Sequence, residues 1–78
     1  MIGKILRTMR RVRKLKQSDI TKLTGIPQNT LSQYETGLVQ PTFETIERIA
    51  TACGYTINFN DNSSKQVLNS KNIDREEI

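Results

Sequence analysis

Five neutral hydrogen-bonding side chains crowd one short segment: Gln28, Asn29, Thr30, Ser32 and Gln33, with Leu31 and Tyr34 as the apolar residues beside them. A helix face meant only for water ordinarily carries Lys and Glu. A carboxamide presents a donor and an acceptor in one fork, and that fork matches N6 and N7 of adenine in the major groove. These residue types suit the reading of base edges; the plainer alternative is a set of ordinary surface amides. Catalytic chemistry finds no comparable material. There is no His, and Cys53 is the single cysteine, so neither a zinc site nor a Cys–His dyad can be assembled. No acid–base or nucleophile constellation stands out. The chain does not read as an enzyme, and no cofactor or metal is expected.

The elements that must carry these residues follow from periodicity and punctuation. Ile2, Ile5, Leu6, Met9 and Val12 recur at spacings of three and four, which predicts a first helix over residues 2–14 with one apolar stripe. Leu15 continues the apolar contacts just past it. Residues 17–24 read as a second, short helix facing the core through Ile20 and Leu23. Gly25 suits the left-handed position that ends a helix, and Ile26-Pro27 makes the corner. A third helix starts at Pro27 or Gln28 and runs to Glu35, anchored by Leu31 and Tyr34 and closed by Gly37; Tyr34 reads as a core anchor with a wet hydroxyl. After a loop, Thr42 is a suitable N-cap for a fourth helix that buries Phe43, Ile46, Ile49 and Ala50 and ends at Gly54. Residues 55–59 alternate apolar and polar and read as one short strand. Residues 60–78 are polar, with too few large apolar residues for a core of their own; they are expected to be mobile, or partly helical against a partner.

Charge is distributed unevenly along these elements. The net charge is +4 over 78 residues. Residues 1–16 hold seven cations (Lys4, Arg7, Arg10, Arg11, Arg13, Lys14, Lys16) and no acid, while the remainder is slightly acidic. A positive field confined to one end suits a surface that meets a polyanion. Seventy-eight residues make one small domain with a thin core. A lone thiol fits a reducing cytoplasm, with Cys53 as a small buried hydrophobe. The N-terminus shows no apolar stretch of signal-peptide length, and no run is long enough to span a membrane.

Several positions agree with one known pattern in order and spacing: Ile2-Gly3-Lys4, Arg10, Leu15-x-Gln17, Ile20, Thr24-Gly25-Ile26, Leu31-Ser32-x-Tyr34-Glu35-x-Gly37, Pro41-Thr42 and the stretch from Ile46 to Ala50. Over about residues 2–54 the chain resembles the Cro/cI-type (XRE-like) helix-turn-helix family, which includes lambdoid phage repressors. The resemblance implies an all-α, lambda-repressor-like bundle of four to five helices, here with a short C-terminal strand, and a function as a sequence-specific regulator of transcription on double-stranded DNA. It implies base contacts from Gln28, Asn29, Ser32 and Gln33. Gln17 falls where relatives touch a phosphate and brace the recognition helix, and Arg10 and Glu35 fall where they often hold an ion pair. A paired Arg keeps free donors for a phosphate, so Arg10, Lys16 and Gln17 are the expected phosphate contacts; a solvent-exposed Arg10–Glu35 pair of little energetic weight is the competing reading. The chain departs from the family in four places. Lys16 stands where a Ser or Thr cap is usual, Thr21 where Ala is usual, and Pro27 where a Ser cap is frequent. The loop Leu38-Val39-Gln40 lacks the basic residues that some relatives hold near phosphates.

Many relatives continue with a fifth helix where this chain has its strand. A lone strand leaves backbone groups unpaired. Its simplest partner is the same strand of a second copy, with Tyr55, Ile57 and Phe59 sharing the buried face of a homodimer; pairing with the chain's own tail is the alternative. The expected organisation is a DNA-binding domain over residues 1–54, a dimerisation strand over 55–60 and a polar tail over 61–78. An antitoxin whose tail also binds a small toxin protein is the second functional reading, and a protein-interaction module without DNA binding is the third.

Overall fold

The computed structural model describes residues 1–60, 62–63 and 67–69. In order along the chain these form α1 (Ile2–Val12), α2 (Gln17–Thr24), α3 (Gln28–Thr36), α4 (Phe43–Ala52), β1 (Phe59–Asn60) and β2 (Val67–Leu68). The four helices enclose one small core of Leu6, Ile20, Ile26, Leu31, Ile49 and Cys53, with Ile2, Met9, Leu15, Tyr34, Ile46, Ala52 and Tyr55 packed partly against it. Cys53 is a buried free thiol, inside the core as a small apolar group. Burial raises its pKa; Arg10 and Arg13 pull it down and Glu35 adds to the rise, and burial prevails.

The stripes are narrower than periodicity suggests. Leu6 is buried on α1, but Ile5 and Val12 are exposed, and so is Phe43 at the start of α4. On α2 the expectation for Leu23 fails: it is 62% exposed. Thr24 takes the inward place, because the turn to α3 needs its hydroxyl there. That hydroxyl donates to the carbonyl of Ile20 at 2.7 Å and accepts from the N–H of Ile26 at 3.2 Å. One side chain thus closes the end of α2 and fixes the entry to α3. Gly25 between them has φ of 79°, a left-handed conformation that costs a residue with a Cβ about 1–2 kcal/mol. Arg48 of α4 adds a hydrogen bond to the Thr24 carbonyl.

α1 ends two residues before the predicted boundary, and the cause is visible in the backbone. Lys14 adopts φ of 57°. Its N–H donates to the carbonyl of Arg11 at 2.9 Å and that of Leu15 to Arg10 at 3.1 Å, the paired bonds of a Schellman end. This termination is ordinarily made with glycine, so the sequence did not announce it. α3 runs one residue past its expected end, to Thr36. α4 begins as expected: Thr42 Oγ1 accepts from the N–H of Thr45 at 3.2 Å.

The strand region differs from expectation. Residues 55–58 carry no ladder; the strand is the two-residue β1, and its partner is the chain's own β2, antiparallel, with Phe59 opposite Leu68 and Asn60 opposite Val67. Pairing with the tail is therefore the arrangement seen, because an adjacent strand in the same chain satisfies the backbone without a second molecule. The remaining tail residues, 61, 64–66 and 70–78, for which mobility or partner-induced helix was expected, lie outside the described residues. The hairpin leans on α4 through the rings of Phe43 and Phe59, whose centroids are 5.8 Å apart.

Candidate nucleic-acid interface

α3 packs closely against α1 and α2 and still presents a polar face. Leu31 and Glu35, one turn apart, are its buried residues. Tyr34 packs beside them. At 100° per residue, Gln28, Ser32, Asn29 and Gln33 sweep an arc of about 140° that flanks the buried side, with Gln28 nearest to Glu35. Gln28 and Asn29 are exposed, and Ser32 and Gln33 are partly exposed. All four predicted base-contacting residues thus stand at the surface on adjoining faces of one helix. None is covered by the described part of the chain. Thr36 beside them folds its hydroxyl back onto the carbonyls of Ser32 and Gln33 at 3.0 and 3.3 Å.

The inner side of α3 is held by a buried carboxylate. Glu35 is 7% exposed. Arg10 approaches it bidentately, Nε to Oε2 at 2.7 Å and Nη2 to Oε1 at 2.8 Å. Gln17 Nε2 donates to Oε1 at 3.2 Å, and Arg7 Nε lies 3.8 Å from the same oxygen. One carboxylate therefore joins α1, α2 and α3. Burial pushes the Glu35 pKa up, but the hydrogen bonds from Arg10 and Gln17 and then the charges of Arg10 and Arg7 outweigh it, so the carboxyl titrates below its usual range. The reciprocal hydrogen bond raises the pKa of Arg10 against a smaller opposing effect of burial. The competing view of Arg10 and Glu35 as a loose solvent pair does not fit: their side chains are only 12% and 6% exposed, and fork-to-fork geometry is the strong form of the interaction.

Of the expected phosphate contacts, Lys16 is exposed at the start of α2. Its missing side-chain cap is offset by Asp19, whose Oδ2 accepts from the Lys16 backbone N–H at 2.8 Å. Gln17 is partly exposed and turns its amide N–H toward Glu35. Arg10 commits donors to both oxygens of Glu35 and, through Nη1, to the carbonyl of Leu15 at 2.9 Å. Three of its five N–H groups are thus engaged inward. Tyr55 packs partly against the core, Ile57 is partly buried and Phe59 is exposed. The three alternate with exposed Thr56 and Asn58.

Two residues of this framework were not singled out from the sequence. A Cβ at Gly3 would lie 2.6 Å from the carbonyl oxygens of both Tyr34 and Glu35, so only glycine lets α1 rest on the end of α3. Arg7 Nη2 donates to the Glu35 carbonyl at 3.3 Å. Together Arg7 and Arg10 bring positive charge to the negative end of α3's dipole, which has no basic residue in its own last turn. The signal was present: Gly3, Arg7 and Arg10 are spaced by four and three and share one face of α1.

Comparison with known proteins agrees with this arrangement. The family described as "Helix-turn-helix" matches residues 6–60. The chain is also similar to the "ImmF control region 10 kDa protein" of Bacillus phage phi105, at 28% identity over 74 residues that cover 95% of this chain and 82% of that one. Among the described residues no helix is long and apolar enough to cross a membrane. With its tight α2–α3 corner, its outward amides and a match extending over most of its length, the chain belongs to the XRE-like helix-turn-helix family of DNA-binding domains.

Proposed function

We propose that this protein is a transcriptional regulator, acting in the cytoplasm as a repressor, that binds a two-fold operator as a homodimer. The observation that carries the reading is the outward face of α3, where Gln28, Asn29, Ser32 and Gln33 remain at the surface while Leu31 and Glu35 hold the helix from behind. Amide side chains on an inserted helix supply sequence preference. Lys16, Gln17 and the uncommitted donors of Arg10 supply phosphate contacts, which fix register and make affinity salt-dependent. Residues 1–54 do the reading, and residues 55–60 with the hairpin they lead into provide the dimer contact. Two features support the dimer. Phe43 and Phe59 are exposed side by side on the hairpin and α4, and the sheet has only two strands among the described residues, so β1 faces no described strand along one edge. The similar phage protein is named for a control region, which favours a regulator over an antitoxin. Repression follows from occupying a site that polymerase needs.

Selection from a random duplex pool, run at two salt concentrations, tests this. The expected product is a two-fold symmetric site with half-sites about 34 Å apart or a multiple of that, bound several-fold more weakly at the higher salt. Recovery of asymmetric single sites would remove the dimer; no enrichment at either salt would remove the function.

A further inference from the structure

Arg13, the C-cap residue of α1, faces neither α3 nor the amide surface. Its Nε donates to the carbonyl of Cys53 at 2.9 Å. Its guanidinium lies over the ring of Tyr55, 4.9 Å from the centroid. Between those two contacts it sits against Gly54, where a Cβ would come within 3.6 Å of Nε. The guanidinium therefore covers the three residues through which the chain leaves α4. The bend at Arg13 and Lys14 that ends α1 holds it in place. Beyond Tyr55, residues 56–58 have no helix or ladder, and the next contact that fixes the hairpin is the Phe43–Phe59 ring pair.

These contacts link α3 through α1 to Tyr55, which residues 56–58 separate from β1. α3 is fastened to α1 through Glu35, Arg10 and Arg7, and α1 is fastened to the base of the hairpin through Arg13. We infer that Arg13, clamped on Cys53 and Tyr55, is the positioning residue that sets the angle between the recognition helix and the hairpin, and so selects the half-site spacing this protein accepts. The inference rests on the hairpin-mediated dimer proposed above. A dimer discriminates spacing only if each recognition helix is rigidly oriented to the two-fold axis. One base pair more or less moves a half-site by about 3.4 Å and turns it by about 34° around the duplex, so a loose joint would accept several spacings. The alternative for Arg13 is general attraction to phosphates, which makes a different prediction.

The test titrates the full chain against duplexes carrying both half-sites at the selected spacing and at one or two base pairs shorter and longer, and against a single half-site. Arg13→Ala, Arg13→Lys, Tyr55→Leu and Tyr55→Phe are compared with the wild type, with thermal melting to confirm folding. The wild type should lose about tenfold in affinity for each base pair of altered spacing. Arg13→Ala should flatten that profile to within about threefold while the homodimer persists by sedimentation and single half-site affinity stays within about twofold of wild type. Tyr55→Leu, in the dimer segment, should flatten it likewise with the homodimer still present. Tyr55→Phe keeps the ring and should keep the sharp profile. Arg13→Lys keeps the charge without the planar stack and should flatten it, which protects the test if Arg13→Ala fails to fold. A profile as sharp in Arg13→Lys and Tyr55→Leu as in the wild type overturns the inference. So does an equal loss on every duplex with a shallower salt dependence. A wild type indifferent to spacing yet tighter on two half-sites than on one has a loose joint and overturns the inference alone. A wild type no tighter on two half-sites than on one overturns the dimer, and the inference with it, before any substitution is made.

Discussion

Glu35 decides how α3 is seated. Its carboxylate is nearly inaccessible and receives hydrogen bonds from Arg10 on α1 and Gln17 on α2. Removing one partner of such a pair leaves a buried charge uncompensated. Glu35→Gln should therefore destabilise the fold by about 3 kcal/mol, read by urea denaturation at pH 7. The same carboxyl titrates below its usual value of 4.5 in the folded chain. Its stabilisation is thus fully present above that value and is lost as pH falls through the folded pKa. Stability profiles from pH 6 to pH 3 should show the wild type declining toward the variant; parallel profiles would refute this role. At this scale the amide cluster was legible in its residue types, while Arg10, Gln17 and Glu35 were legible through the family resemblance. Leu23 was misjudged because hydropathy ranks leucine above threonine, while the corner required an inward hydroxyl at Thr24.

The elements were legible where a residue type is tied to a backbone state. Gly25, Gly37 and Thr42 marked the ends of α2 and α3 and the start of α4. They were not legible where the chain uses an unmarked residue, as at Lys14. The short hairpin was hidden for another reason: two-residue strands owe their pairing to proximity rather than propensity. Contacts between elements yield two predictions. Gly3→Ala would drive a methyl into two carbonyl oxygens of α3, and backbone cannot yield as a side-chain tip can. It should cost about 1–3 kcal/mol and shift the amide resonances of Tyr34 and Glu35; an unchanged melting temperature would contradict the close contact. The Oγ1 of Thr21 is buried with no hydrogen-bond partner among the described residues. Thr21→Ala removes an unsatisfied hydroxyl and gains helix propensity, so it should raise stability by about 1 kcal/mol. A lower denaturation midpoint would show that the hydroxyl is paired in solution.

At the scale of the whole molecule, the sequence conveyed the class of protein through the family pattern over about residues 2–54, with the uneven charge and the neutral α3 segment in support. Which copy the strand region pairs with was not legible, since alternation describes a face and not its partner. The molecule is a small bundle whose first helix carries Lys4, Arg7, Arg10 and Arg11 and braces α3 through Glu35, with a short hairpin after α4. The proposed function stands or falls with α3 reading bases through its amides. A double-mutant cycle between protein and operator tests this most directly: wild type and Gln33→Ala are titrated, at one salt concentration, against the selected operator and each single-base variant of a half-site. At one position the base change should cost the wild type about 1–3 kcal/mol and the variant almost nothing, which is coupling between that base and Gln33. If every base change costs both proteins the same, Gln33 reads no base and the docking of α3 proposed here is wrong.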